Sequence, residues 1–214
     1  MKIVDVCAFY SPKGGGVRTY IDRKLAEGPK AGHEIVVIAP GPRSLIEERG
    51  QGARIVWLES PKFPLDGNYH YFADAKALHA ALDCERPDVV EVSSPWRSAS
   101  MVADWQGQAA RSLVMHADPL AAYAYRWFEM LADRPTIDRG FDWFWRHLRR
   151  LDARFETVIS ASFSLSARLE AGGLRGVSTI PMGVEPGLFS PALRDLPLRR
   201  RLLDMCGLEA SGTL

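Results

Sequence analysis

The stretch Ser11-Pro12-Lys13-Gly14-Gly15-Gly16-Val17-Arg18-Thr19 joins a short apolar run to the first helical pattern. Glycine lacks a Cβ, so the chain can turn tightly there and a ligand can come close to the backbone. The first turn of a helix offers unpaired N–H groups and a partial positive charge, which suits a phosphate. Gly14, Gly15, Gly16 and Arg18 are therefore candidate phosphate ligands, and Lys13 adds positive charge beside them. The same three glycines would equally serve a plain tight turn. Two standard phosphate loops fit poorly. If Gly14 opened a G-x-G-x-x-G fingerprint, Thr19 would stand where its last glycine belongs. A P-loop needs Gly-Lys-Ser/Thr, and Val17-Arg18-Thr19 replaces it. Arginine is a poor substitute for a lysine acting as a point charge. The second strand, Ile38-Ala39-Pro40 at its end, has no acid to hold magnesium. A partitioning-type ATPase is the weakest alternative kept.

The elements that must position this loop alternate regularly. Apolar, β-branched runs at 3–8, 34–39, 54–58, 88–92, 112–116, 157–160 and 176–180 read as strands. Helical patterns at 16–30, 71–84, 98–110 and 198–206 lie between or after them, with a short helix expected at 45–49. Continuous strand runs separated by helices imply a parallel sheet covered on both faces, an α/β Rossmann-like doubly wound fold. Such folds act at the carboxyl ends of their strands. The segments after Ala8, Val92, His116 and Ser160 are thus the functional candidates. Asp118, just before Pro119, can bind a hydroxyl or cap the next helix, and capping is the expected role.

Composition bounds the rest. The chain has 214 residues, 47% of them hydrophobic and 25% charged, as in ordinary globular domains. A net charge of +1 gives no global basic field for nucleic acid. No apolar run reaches the roughly 18 residues of a membrane span. Asp5 interrupts the opening Met1-Lys2-Ile3-Val4-Asp5-Val6, which reads as a first strand rather than a signal peptide. Cys7, Cys84 and Cys206 are scattered and odd in number, which suggests neither disulfides nor a zinc site. A reducing cytoplasm, no metal and no cofactor are the expectations. After Ser190-Pro191 a basic helical piece and a polar turn lead nowhere, as if a further domain were beginning.

Four stretches resemble the family 4 (group 1) glycosyltransferases. They are the glycine loop from Ser11 to Val17, the Lys24-Leu25-Ala26 to Ala31-Gly32-His33-Glu34-Ile35-Val36-Val37-Ile38 passage, Arg86-Pro87-Asp88-Val89-Val90-Glu91-Val92-Ser93-Ser94-Pro95, and Ile180-Pro181-Met182-Gly183-Val184-Glu185-Pro186-Gly187-Leu188-Phe189-Ser190-Pro191. The last is the most specific. The resemblance implies a GT-B architecture, two Rossmann-like domains across a cleft, of which this chain supplies the amino-terminal, acceptor-binding one. It implies a retaining transfer from a GDP- or UDP-linked sugar to a saccharide, lipid-linked or small-molecule acceptor. Residues 1–190 would be that domain, and 191–214 the linker and start of a donor-binding domain whose E-x7-E glutamates lie beyond. The chain alone would be inactive.

By the same resemblance, Gly15 and Gly16 approach the donor diphosphate, and His116 faces the donor sugar near the reacting carbon, orienting a hydroxyl rather than acting as a general base. Lys13, Tyr69, Ser93, Ser94 and Asp118 fall on the acceptor or sugar side, Tyr69 within the extended segment 60–71. Glu91 stands near where the family often has histidine, and Met182 where it has asparagine. The other class of function is a free-standing, non-catalytic module that binds a carbohydrate or a partner. Finally, Phe141-Asp142-Trp143-Phe144-Trp145-Arg146-His147-Leu148-Arg149-Arg150 reads first as a core helix with a solvated basic face, and second as a peripheral membrane contact or lipid-acceptor patch.

Overall fold

The computed structural model describes residues 1–11, 14–64, 66–184, 187–188 and 190–209, with Ala122 and Tyr123 in backbone only. Lys13, Glu185, Pro186 and Phe189, named above, lie outside the described residues. The chain divides into two compact units, Met1–Pro181 and Met182–Leu214.

In the first unit an eight-stranded sheet has the order β3-β4-β2-β1-β5-β6-β7-β8. The strands are β1 (Lys2–Val6), β2 (Glu34–Gly41), β3 (Leu45–Glu48), β4 (Ala53–Glu59), β5 (Val89–Val92), β6 (Ala110–Met115), β7 (Thr157–Ser160) and β8 (Val177–Thr179). Every pairing is parallel except β3 with β4. The Rossmann-like, doubly wound class is as the sequence implied. The period of two along each strand sorts side chains to opposite faces. Ile35, Val37 and Ala39 of β2 pack with Ile21 and Leu25 of helix α1 (Gly16–Glu27). Val36 and Ile38 face the other way, onto α2 (Ala75–Glu85) and α3 (Arg97–Asp104), in the larger cluster that also takes in α6 (Asp142–Asp152) and α7 (Phe163–Ala171). Two short helices, α4 (Tyr125–Phe128) and α5 (Arg134–Gly140), follow a π turn at Leu120–Ala124.

Two element expectations need correction. Residues 45–49 form no helix. Leu45–Glu48 is an edge strand, antiparallel to β4, with Glu47 accepting from Trp57 Nε1 at 2.9 Å. An isolated turn of helix gains little, whereas the hairpin turn through Gly50 and Gly52, both at positive φ, brings these residues onto a waiting strand. Helix α3 ends at Asp104, six residues earlier than expected. The Arg111 guanidinium donates to the carbonyls of Trp105 (2.8 Å) and Gly107 (2.9 Å), satisfying backbone just beyond the helix end. Trp105 is extended and buried, its Nε1 donating to Asp83 at 2.8 Å.

Helix α6 has Phe144, Leu148 and Leu151 buried on one side, the core-helix reading. Trp143 on the same helix is half exposed. The second unit contains a 3-10 turn at Pro191–Leu193 and helix α8 (Leu196–Met205), capped by Asp195, which accepts from Leu198 N at 2.8 Å. Among the described residues no helix is long and apolar enough to cross a membrane.

Candidate active site

The direction of winding reverses between β1 and β5, since β1 has β2 on one side and β5 on the other. Ligands of open α/β sheets sit outside the carboxyl ends of the strands at such a point. The segment after β1, the Ser93-Ser94 pair after β5 and His116 after β6 follow the carboxyl ends of their strands.

The three glycines divide by role. Gly14 N–H donates to the Ser11 carbonyl at 2.8 Å. A Cβ on Gly14 would sit 3.0 Å from that same oxygen and 3.2 Å from Arg18 Cβ, so Gly14 serves the turn. A Cβ on Gly15 or Gly16 would meet nothing within 4 Å. Their side of the helix start is open, and no side chain caps α1 and no acid occupies its first turn. That is the arrangement in which a helix terminus can accept an anion. Arg18 is exposed and ion-paired to Asp22 at 3.1 Å, and Asp22 also accepts from Tyr10 Oη at 2.7 Å.

His116 is the group with unmet capacity. Both ring nitrogens are shut off from solvent, and among the described residues neither has a hydrogen-bond partner. Leaving buried polar atoms unpaired costs stability. Burial holds the imidazole below its usual pKa; Glu91 acts against that shift and Lys24 with it. The ring is therefore neutral at physiological pH, with one nitrogen to donate and one to accept. Its edge-on neighbour is Tyr20 of α1, with centroids 4.9 Å apart.

Below the ring lies a cluster that sequence reading missed. Asp5 of β1 is fully buried, and its carboxylate takes Lys24 Nζ at 2.6 Å and Ser93 Oγ at 2.8 Å. Lys24 also donates to Glu91 of β5, as does Tyr20 Oη at 2.8 Å. Burial pushes the Asp5 carboxyl up to about 6, Lys24 and Ser93 oppose the rise, and Glu91 adds to it. Burial works to lower the Lys24 pKa, but the two carboxylates outweigh it and hold the ammonium protonated. The signal in sequence was Asp5 itself, an acid inside an apolar strand run. An ionisable residue there needs a buried partner.

A pH dependence follows. The folded carboxyl of Asp5 titrates at about 6 against an ordinary 3.8. The folded state thus binds this proton more tightly, and its contribution to stability is greatest below 3.8 and is lost as pH rises through about 6. Asp5→Asn removes the titration. The stability of Asp5→Asn relative to the parent, from urea melts, is expected to rise between about pH 4.5 and about pH 7. A difference that stays flat over that range would contradict the assignment.

The acceptor-side candidates are not brought together. The Ser93 hydroxyl points inward to Asp5, and Ser94 pairs with Ser98 at 3.1 Å; both serines are buried. Asp118 accepts from Leu120 N at 2.8 Å and Ala121 N at 3.2 Å, which is the capping role, and lies 2.5 Å from Arg168 Nε. Tyr69 packs edge-on against Phe9, which follows β1, with centroids 6.0 Å apart. Within the segment 60–71, Lys62 and His70 form an isolated antiparallel bridge.

A glycine-flanked helix start and a neutral imidazole thus stand at the carboxyl end of a doubly wound, Rossmann-like α/β sheet. The sequence profile of Glycosyltransferase Family 4 matches residues 14–188, and the chain belongs to that family. It is 26% identical over 200 residues to the GDP-mannose-dependent alpha-(1-6)-phosphatidylinositol dimannoside mannosyltransferase of Mycobacterium tuberculosis, covering 94% of this chain and 50% of that protein. To a GDP-mannose-dependent alpha-mannosyltransferase of Corynebacterium glutamicum it is 24% identical over 207 residues, covering 94% and 47%. The chain thus spans about half the length of these relatives. Sucrose-phosphate synthase from Thermosynechococcus elongatus shares the fold with a TM-score of 0.67 at 15% identity, over 95% of this chain and 52% of that one. The catalytic domain of starch synthase IV from Arabidopsis thaliana does so with a TM-score of 0.56 at 15% identity, over 100% and 60%.

Proposed function

We propose that this chain is the acceptor-binding half of a retaining, nucleotide-sugar-dependent glycosyltransferase, inactive alone and completed by a donor-binding domain after a linker at 191–214. The observation that carries the reading is His116, with two buried, unbonded ring nitrogens at the switch point. A sugar hydroxyl is both donor and acceptor, and a neutral imidazole can donate to one through one nitrogen or accept from one through the other, once a turn of the ring uncovers that nitrogen. Binding there would orient the sugar for reaction. The donor diphosphate would lie on the open side of Gly15 and Gly16. Lys13 and Tyr69 would lie toward the acceptor, while Ser93, Ser94 and Asp118 would shape the crevice through backbone and packing. The named relatives favour GDP-mannose as donor and a lipid-linked or saccharide acceptor.

The test is transfer by the polypeptide of the complete reading frame, supplied in parallel with GDP-mannose and UDP-glucose. Transfer from either supports the reading, and the preferred base identifies the donor. Absence of transfer and of nucleotide-sugar binding by that polypeptide would leave the free-standing binding module. In the same polypeptide Gly15→Val should leave the fold intact, because its side chain enters open space. Donor affinity should drop about tenfold or more, about 1.4 kcal/mol, as measured by calorimetry. Unchanged affinity would remove the phosphate role of the loop.

One observation favours a peripheral membrane contact near 141–150. Trp127, Phe128, Met130, Leu131 and Trp143 are all exposed, Met130 almost completely at 98%. Exposed apolar groups so close together mark an interaction surface, and arginines at 126, 146 and 150 accompany them. An enzyme acting on a lipid-linked acceptor would use such a surface.

A further inference from the structure

We infer that Tyr20, Glu91 and Lys24 are positioning residues for His116: Tyr20 sets the orientation of its ring, and Glu91 and Lys24 hold Tyr20 in place. The inference rests on the reading of His116 given above. No hydrogen bond orients the imidazole, since both nitrogens are unbonded. The aromatic contact that bears on it is the edge of Tyr20 at 4.9 Å and 70°. Tyr20 is itself held at its far end, where Oη donates to Glu91 at 2.8 Å, and Lys24 Nζ lies 4.8 Å from its ring centre. Glu91 is fixed by the same lysine, which is anchored on Asp5. Position thus passes from a fully buried carboxylate on β1, through α1, to a ring beyond β6. The strand period explains the meeting: Asp5 and Glu91 are register partners, one step out of phase with the apolar residues on either side, and both face α1.

The chemistry follows from what the arrangement leaves free. Had a carboxylate bonded a ring nitrogen directly, it would have fixed the tautomer and favoured the imidazolium. Packing against Tyr20 orients the ring and uses neither nitrogen. The charged groups that bear on it are Glu91 from β5, which favours the charged form, and Lys24 from α1, which disfavours it. Asp5 from β1 lies beyond Lys24, and Asp118 on the loop following His116 is paired with Arg168 of α7. Burial keeps the ring in its one-donor, one-acceptor state, and Lys24 counters part of the opposing pull of Glu91. An imidazolium would offer two donors.

The 214-residue chain can be tested without any substrate, by following the imidazole nitrogens of His116 by NMR through a pH titration. The parent should titrate below the usual 6.5. Lys24→Met should raise that value. If Lys24→Met does not fold, the double variant Asp5→Asn with Lys24→Met keeps the cluster's net charge and should show the same upward shift. In the complete enzyme, Tyr20→Leu should lower kcat about tenfold with little change in donor KM, and Tyr20→Phe, which keeps the ring and loses the bond to Glu91, should fall between the two. Lys24→Met should move the acid limb of the kcat/KM profile upward. A His116 titration indifferent to both lysine variants, or a Tyr20→Leu enzyme with parental kcat, would overturn the inference. The NMR titration is independent of transfer activity, so its outcome separates failure of the positioning network from failure of the glycosyltransferase reading.

Discussion

His116→Ala in the complete polypeptide is expected to lower turnover on the order of a hundredfold at saturating donor, the scale of losing one orienting contact at the reacting centre. The chain should not lose stability with it. The imidazole nitrogens are buried without partners, so their removal relieves an unmet desolvation cost. The two readouts together are diagnostic. A residue that merely packs would lose stability with activity, whereas a ligand-binding residue loses activity alone. His116→Gln, which keeps one donor and one acceptor, should recover part of the rate. Turnover unchanged in His116→Ala, measured beside a thermal melt, would sink the assigned role.

Arg168→Ala is expected to cost about 2–3 kcal/mol of stability and to loosen the chain that follows His116. The Arg168 guanidinium of α7 donates to Asp138 Oδ1 at 2.8 Å and to Tyr125 Oη, and lies 2.5 Å from Asp118. It also lies over the rings of Tyr125 and Trp145, at 5.2 and 5.3 Å. Its loss leaves two carboxylates, mostly shielded from water, without their counter-charge. Asp118 would still cap its turn, through Leu120 and Ala121, but would no longer be tied to α7. Urea melts give the stability change. Hydrogen exchange across 118–138 should rise in the variant, and protection equal to the parent there would show that Arg168 does not hold this segment.

The fold class was legible because its signal is local. Runs such as Ile35-Val36-Val37-Ile38 are buried on both faces of a parallel sheet, and they look that way in any context. The glycine loop and the strand-end histidine were legible for the same reason, since strand, turn and helix follow each other directly in the chain. Asp118 as a cap could be read from its place before Pro119. The edge strand at 45–48 could not, because four residues carry too little periodicity and their state depends on a partner strand.

The sequence by itself determined the alternation of strands and helices, the open loop at the first helix and the position of His116 at a strand end. Each is set by residue type and spacing within a few neighbours. Only the tertiary structure decided which strands are neighbours, and with that where the switch point lies and that Tyr20 of the first helix meets His116. It also decided that Ser93 turns to Asp5, 88 positions away, and that Lys24 reaches Glu91, 67 positions away. It separated Gly14, pressed against Ser11, from Gly15 and Gly16, which face open space. Those facts depend on long-range pairing and on how completely each group is shut off from water, and neither quantity exists until the sheet has formed.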